Sequence, residues 1–214
     1  FSNSMGITNN FGINGSSKKI SAGLRAGHKS NADYLQGGAT FVPNSRFTTY
    51  SIKPYILYNS KKGSFKIFAE TNQQKLGLVE DEAIEQINKR GRKCNIFFQQ
   101  FNTSIISSQN KIYLNKLKLN INSSFQSTQL IHFGEENIYE LQMRLTTISY
   151  ETKLSIPFNQ NSQYIFGIQA YNQINSNINN RQTILLPNAK INNYSIFSFY
   201  ENNISKNILL QAGI

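Results

Sequence analysis

Ten segments with the two-residue rhythm of β-strands follow one another along the chain, and the connections between them are alternately short and long. The short ones fall near residues 14–17, 60–63, 109–110, 159–162 and 202–206, and the long ones near residues 30–45, 76–93, 134–140 and 174–190. Consecutive hairpins with this alternation put all short turns on one rim and all long loops on the other. Outer-membrane barrels are built this way, with short periplasmic turns and longer extracellular loops, whereas a soluble sandwich has no reason to sort its loops by rim. The expected fold class is all-β: an antiparallel transmembrane β-barrel segment of about ten strands.

Strand parity supports the same reading. Between residues 111 and 133, Leu117, Leu119, Ile121 and Phe125 share one parity, while Lys116, Lys118, Asn120, Asn122, Ser124 and Gln126 share the other. A period of two over that length means one apolar and one wet face, and the run exceeds the roughly 5–6 residues of an ordinary strand. Ile20, Ala22, Leu24 and Ala26 alternate with Ser21, Gly23, Arg25 and Gly27. Tyr50, Ile52, Ile56 and Tyr58 alternate with Thr49, Ser51, Lys53 and Tyr55, so that the two tyrosines would bracket an apolar band as interfacial girdles do. Tyr164, Phe166, Ile168 and Ala170 repeat the pattern. Parity switches between Leu145 and Ile148, which predicts either a bulge or the point where that strand leaves a bilayer. Pro54 counts against a regular ladder at its position, since it has no N–H to donate.

An apolar share of 39 % without any Trp is low for a packed core, yet suits strands that show half their residues to lipid. No apolar run of about 18 residues exists, which excludes a helical membrane span. The net charge of +11, from 22 Lys and Arg against 11 Asp and Glu, favours anionic partners. The single cysteine, Cys94, excludes an intrachain disulfide framework. Only residues 79–90 read as helical, with acids at the start and bases at the end to suit the helix dipole. The first residue is Phe1, with no basic and apolar leader after it, as expected of a segment of a longer protein.

LRAGHKSNADYLQGGATFVPNSRF, QQKLGLVEDEAIEQINKRGRK and SSQNKIYLNKLKLNINSSFQSTQLIHFGE together resemble the barrel of TonB-dependent outer-membrane receptors, in texture the iron-complex and haem branch seen in Bacteroidetes. The resemblance covers essentially the whole chain and rests on strand and loop texture. It implies a bacterial outer-membrane location, a barrel of about 22 strands, a plug inside it, engagement of TonB through that plug, and an anionic iron complex or haem as ligand. Residues 1–214 would then be a partial barrel, with the plug and remaining strands outside it. The terminal LLQAGI also departs from the closing aromatic residue of complete barrels.

No Ser, His and acid arrangement, no Cys and His metal spacing and no phosphate-binding glycine loop is present, so neither catalysis nor a resident metal or cofactor is expected. His28 and His132 both fall toward the long-loop end of their strands. There they are either solvated rim residues or ligands to haem iron through imidazole, although the FRAP and NPNL loop motifs of haem receptors are missing. Arg25, Lys53, Lys66, Lys116 and Lys118 share the polar parity and would line the lumen. Cations so placed favour anionic solutes or pair with acidic groups of a plug. Arg25 and Lys53 are accordingly the candidate ligand-binding cations, with His28 and His132 beside them.

Two other functions compete with uptake. One is a passive porin-like or structural barrel. The other is a soluble, basic, β-rich domain that binds polyanions, since aromatic and basic residues interleave in KIYLNKLK; nucleic acid is not the expected partner. An open sheet of ten strands would present unpaired edges to lipid. These 214 residues alone should therefore give no compact, protease-resistant product in detergent, and recovering one would refute that expectation.

Overall fold

The structure is a computed structural model that describes residues 5–37, 40–135, 138–178 and 186–214. Residues 38–39, 136–137 and 179–185, parts of three expected long connections, lie outside the described residues. The strands are β1 (Ile7–Ser16), β2 (Ile20–Asn31), β3 (Phe47–Ser60), β4 (Gly63–Gly77), β5 (Phe98–Leu114), β6 (Leu117–Phe133), β7 (Tyr139–Pro157), β8 (Ser162–Asn177), β9 (Ala189–Ser205) and β10 (Ile208–Gly213). They form one antiparallel sheet in chain order, and each strand pairs with the next. One short α-helix is found among the described residues, α1 (Asp81–Gln86) in the β4–β5 connection.

The two faces of the sheet differ in chemistry as the parity predicts. Ala69, Ile106, Phe125 and Ile148 are successive register partners across β4 to β7, and one residue away on the opposite face run Phe68, Ser107, Ser124 and Ser149. Hydroxyls and amides stitch the polar face together: Ser124 and Ser149 oxygens lie 2.7 Å apart, Thr103 and Thr128 oxygens 3.2 Å apart, and Gln173 donates to Thr147 at 3.1 Å. The apolar face has no cover among the described residues. Ile56, Ile67, Ile106, Phe125, Ile148 and Ile168 are each 42–54 % exposed. Tyr50 and Tyr58 sit at either end of the apolar run of β3, on the same face as Ile52 and Ile56.

Burial is concentrated elsewhere. Ala32, Val42, Ala83, Phe97, Phe98, Ile131 and Met143 are the buried apolar residues among those described, and all lie at the long-loop end. Phe98 and Phe133 stack there, with ring centroids 4.3 Å apart. A 17-residue strand such as β5 reaches roughly 55 Å when straight. Tilted by about 45°, it still exceeds a 25 Å apolar band. The long-loop halves of the middle strands therefore stand clear of the apolar band.

Register gives the sheet a consistent shear. Ile20, which opens β2, pairs with Tyr58, two residues before β3 ends at Ser60. Gly63, which opens β4, pairs with Ile112, two residues before β5 ends at Leu114. Ser162, which opens β8, pairs with Asn202, three residues before β9 ends at Ser205. Each short turn thus lies beyond the last in one direction, and such a stagger is what a barrel of tilted strands requires. The two edge strands β1 and β10 do not pair with each other.

Several local expectations are corrected. The third short turn is at Asn115 and Lys116, not at Gln109 and Asn110, so the run expected to be one strand is two. Asn115 supplies the left-handed residue of that turn (φ 54°), a conformation Asn tolerates better than most side chains. Lys116 consequently sits in the turn and not on the polar face. The β6–β7 ladder runs without a bulge through Leu145 to Ile148; its one irregularity is at His132 and Phe133. Leu145 belongs to the polar face, opposite Thr128. The helix is six residues where twelve were expected (79–90), and it has no side-chain N-cap bond and no base in its last turn. Ile87 is already extended, and the Arg90 side chain is drawn to the Asp33 carbonyl instead. Pro54 stays within β3, but the pairing with β4 lapses at Lys53 and Pro54 and resumes at Tyr55.

Candidate functional site

On the polar face, Arg25 and Lys53 are direct register partners on β2 and β3. Gly12 lies opposite Arg25 on β1, and Gly27 follows two residues along β2. The small residues leave a concavity of about 540 Å³ lined by Asn10, Gly12, Arg25, Gly27, Ser51 and Lys53. Like charges facing each other across a ladder repel. Lys53 is partly neutralised by Glu70, 2.8 Å away on β4. Among the described residues no carboxylate is within ion-pairing distance of Arg25. The arrangement can accept an anion on Arg25 without first breaking an ion pair. Lys66 and Lys118 share this face, as expected.

The histidines are not brought together. His28 pairs in register with Tyr50 on the apolar face, and their rings stack at 4.7 Å with 20° between planes. His132 projects from the other face, since its β6 neighbour Ile131 is in register with Gln100 and, through it, with Lys75 on the side of His28. His132 Nε2 is buried without a hydrogen bond and lies 3.7 Å from Glu140 Oε2. With three strands between β2 and β6, and so four spacings of about 4.8 Å each, and with the rings on opposite faces, one ligand cannot touch both imidazoles. No group of three or more metal-ligating side chains exists among the described residues.

A buried polar cluster between two long loops was not anticipated from the sequence. The Arg46 guanidinium clasps the Asp33 carboxylate in two bonds, Nε to Oδ1 at 2.9 Å and Nη2 to Oδ2 at 2.5 Å. Asp33 is 0 % exposed and Arg46 8 %. The Gly91 N–H donates to the same carboxylate at 3.0 Å, and Arg46 Nη1 donates to the Lys93 carbonyl at 3.0 Å. Asn44, with φ 59°, holds its amide nitrogen 2.8, 3.1 and 2.7 Å from the carbonyls of Leu78, Ile96 and Phe97. The β2–β3 and β4–β5 loops are thereby fixed to one another. One signal for this was available: Asp33 and Arg46 are the only charged residues between positions 30 and 46.

Cys94 lies on the edge of this cluster, its Sγ 3.7 Å from the Arg46 carbonyl. Burial pushes its thiol up to about 11, with the Arg46 and Lys75 charges opposing only part of the rise. A thiol that stays protonated to higher pH has less thiolate to react. Alkylation of the folded protein by iodoacetamide at pH 8 should therefore run about tenfold or more slower than in the unfolded chain. Equal rates in both states would remove the burial argument.

The fold and its faces define an all-β antiparallel sheet with an exposed apolar side, a cationic polar side and loops knitted at one rim. No protein-family model matches the chain, and no curated protein matches it. Among solved structures, one titled copper transporter OprC is similar over 100 % of this chain and 44 % of that one, with 11 % identity and a TM-score of 0.48. The chain thus spans less than half the length of that structure.

Proposed function

We propose that this chain is part of the wall of a TonB-dependent outer-membrane receptor that takes up an anionic metal complex, with a ferric siderophore as the preferred cargo. The observation that carries the reading is the uncovered apolar face on a sheared sheet of long hairpins, backed by a face rich in Lys, Arg and hydrogen-bonded Asn, Gln, Ser and Thr. An uncovered apolar surface of that extent is stable only against lipid or a large partner. The cationic concavity at Arg25 and Lys53 supplies the complementary charge for an anionic complex. Haem is the weaker cargo, because the two histidines face opposite sides of the sheet. The protein catalyses no reaction in this reading.

The test is uptake of a labelled ferric complex by cells that carry the intact gene, with and without a working TonB system. Uptake that needs TonB supports the proposal; uptake indifferent to it replaces the receptor with a passive porin-like channel. Arg25→Gln should weaken capture of the complex about tenfold, the scale of one charge-assisted hydrogen bond, while leaving the yield of folded protein unchanged.

A further inference from the structure

A second cationic concavity lies on the apolar side, just beyond the apolar band. His28 pairs with Tyr50 and Tyr50 with Gln73, while Ser30 pairs with Thr48 and Thr48 with Lys75, so these residues share the face of Leu24, Ala26, Ile52 and Ile56. Residues 92–95 of the β4–β5 loop cross in front of them. They close a cup of about 430 Å³ whose lining includes Lys75, Arg92 and Lys93 but no carboxylate among the described residues. Arg92 is fixed in place by donating from Nη1 to the Ser30 carbonyl at 3.1 Å and from Nη2 to the Met5 carbonyl. Lys75 Nζ is held 5.0 Å above the Phe98 ring. The nearby acid, Asp33, is buried in its pair with Arg46 and cannot neutralise them.

The His28 row is two residues beyond the Ala26 and Ile52 row, about 7 Å along the strands. That is the separation between the end of an acyl region and its headgroup. We infer that this cup binds the phosphate of a membrane lipid headgroup, with the acyl chains lying along Leu24, Ile52 and Ile56 below it. The inference rests on the membrane reading above and adds a site on the outside of the wall, away from the cargo. Three cations converge on a tetrahedral anion there, and the Tyr50 and His28 stack forms the floor between headgroup and chains. Fixing of Arg92 and Lys75 by their own neighbours before any lipid arrives lowers the ordering cost of binding.

The test uses the protein extracted from outer membranes in a neutral maltoside detergent, with bound lipid counted by native mass spectrometry. The probes are a bisphosphorylated lipid A, the same glycolipid stripped of phosphate, and inorganic phosphate. The phosphorylated lipid should be retained at least tenfold more tightly than the stripped one. That preference should vanish in K75Q/R92Q/K93Q and fall several-fold in K75Q/K93Q, which leaves the Arg92 bonds to the loop intact should the triple variant fail to fold. Equal retention of both lipids, or an unchanged preference in K75Q/K93Q, overturns the site while leaving the membrane reading standing. Displacement by millimolar inorganic phosphate would make free phosphate the ligand and overturn the lipid assignment. A protein that leaves the cell soluble, carrying no lipid, overturns both readings together.

Discussion

Asp33→Ala or Arg46→Ala should cost about 3–5 kcal/mol, the scale for removing one partner of a buried ion pair and stranding the other. The loss is large because the remaining charge has no exit: Asp33 is 0 % exposed and lies under the β4–β5 loop. Arg46→Ala strands a carboxylate that keeps only the Gly91 N–H as a hydrogen-bond donor. Asp33→Ala strands a guanidinium whose remaining bond is to the Lys93 carbonyl. Both variants should free residues 78–97, seen as faster hydrogen exchange and new protease cleavage there, with the short-turn end of the sheet unchanged. The paired variant D33N/R46M, which removes both charges, should recover much of the loss, since a buried pair replaced as a whole is often near neutral. If either single alanine variant exchanges like the parent, the clasp does not hold the loops.

Phe125→Arg should destabilise the lipid-embedded protein by about 2–4 kcal/mol, the penalty of a midplane charge on the outer side of a membrane barrel. Ser124→Arg, one residue along β6 and facing the other way, should cost far less. Phe125 stands between Ile106 and Ile148 in the middle of the apolar face, whereas Ser124 sits between Ser107 and Ser149. The two substitutions share strand, depth and added charge, and differ only in face. Denaturant titration from lipid vesicles measures both. Equal penalties would mean that the apolar face is not the one that meets lipid, and the membrane proposal would fall with it.

Much of the fold was legible because its information is local. Parity within a strand depends on neighbouring residues, so the faces around Leu24, Ile56 and Phe166 could be assigned from alternation alone, and loop lengths set the order of hairpins. The turn at Asn115 was missed although the pattern carries a trace of it: Ile112 and Leu114 share one parity, Leu117, Leu119 and Ile121 the other, and the switch falls across Asn115 and Lys116. A two-residue hairpin that pairs Leu114 with Leu117 returns both to one face and so produces this three-residue step. Helix α1 was overestimated because charge placement suggested a dipole match, while Arg90 is drawn to a carbonyl 57 positions earlier. The loop clasp left only the isolated charges of Asp33 and Arg46 as a trace, for the same reason. Asp33, Arg46 and Gly91 converge only after two strand pairings set the register, and no local rule reports that.

The stagger of the turns has an electrostatic consequence. Counted from the short-turn ends of their own strands, Lys66, Lys111, Lys118 and Lys153 all lie within four residues of the rim, and all face the polar side. Lys111 and Lys153 share one register row through Asn120, with the rows of Lys66 and Lys118 two residues to either side. Arg25 and Lys53 are five and seven residues from theirs, a tier above. An anion moving from the loop rim to the turn rim would meet an upper pair and then a lower collar of ammonium groups. The register that sets the sheet thus gathers six cations from six strands into two successive stations along a single path.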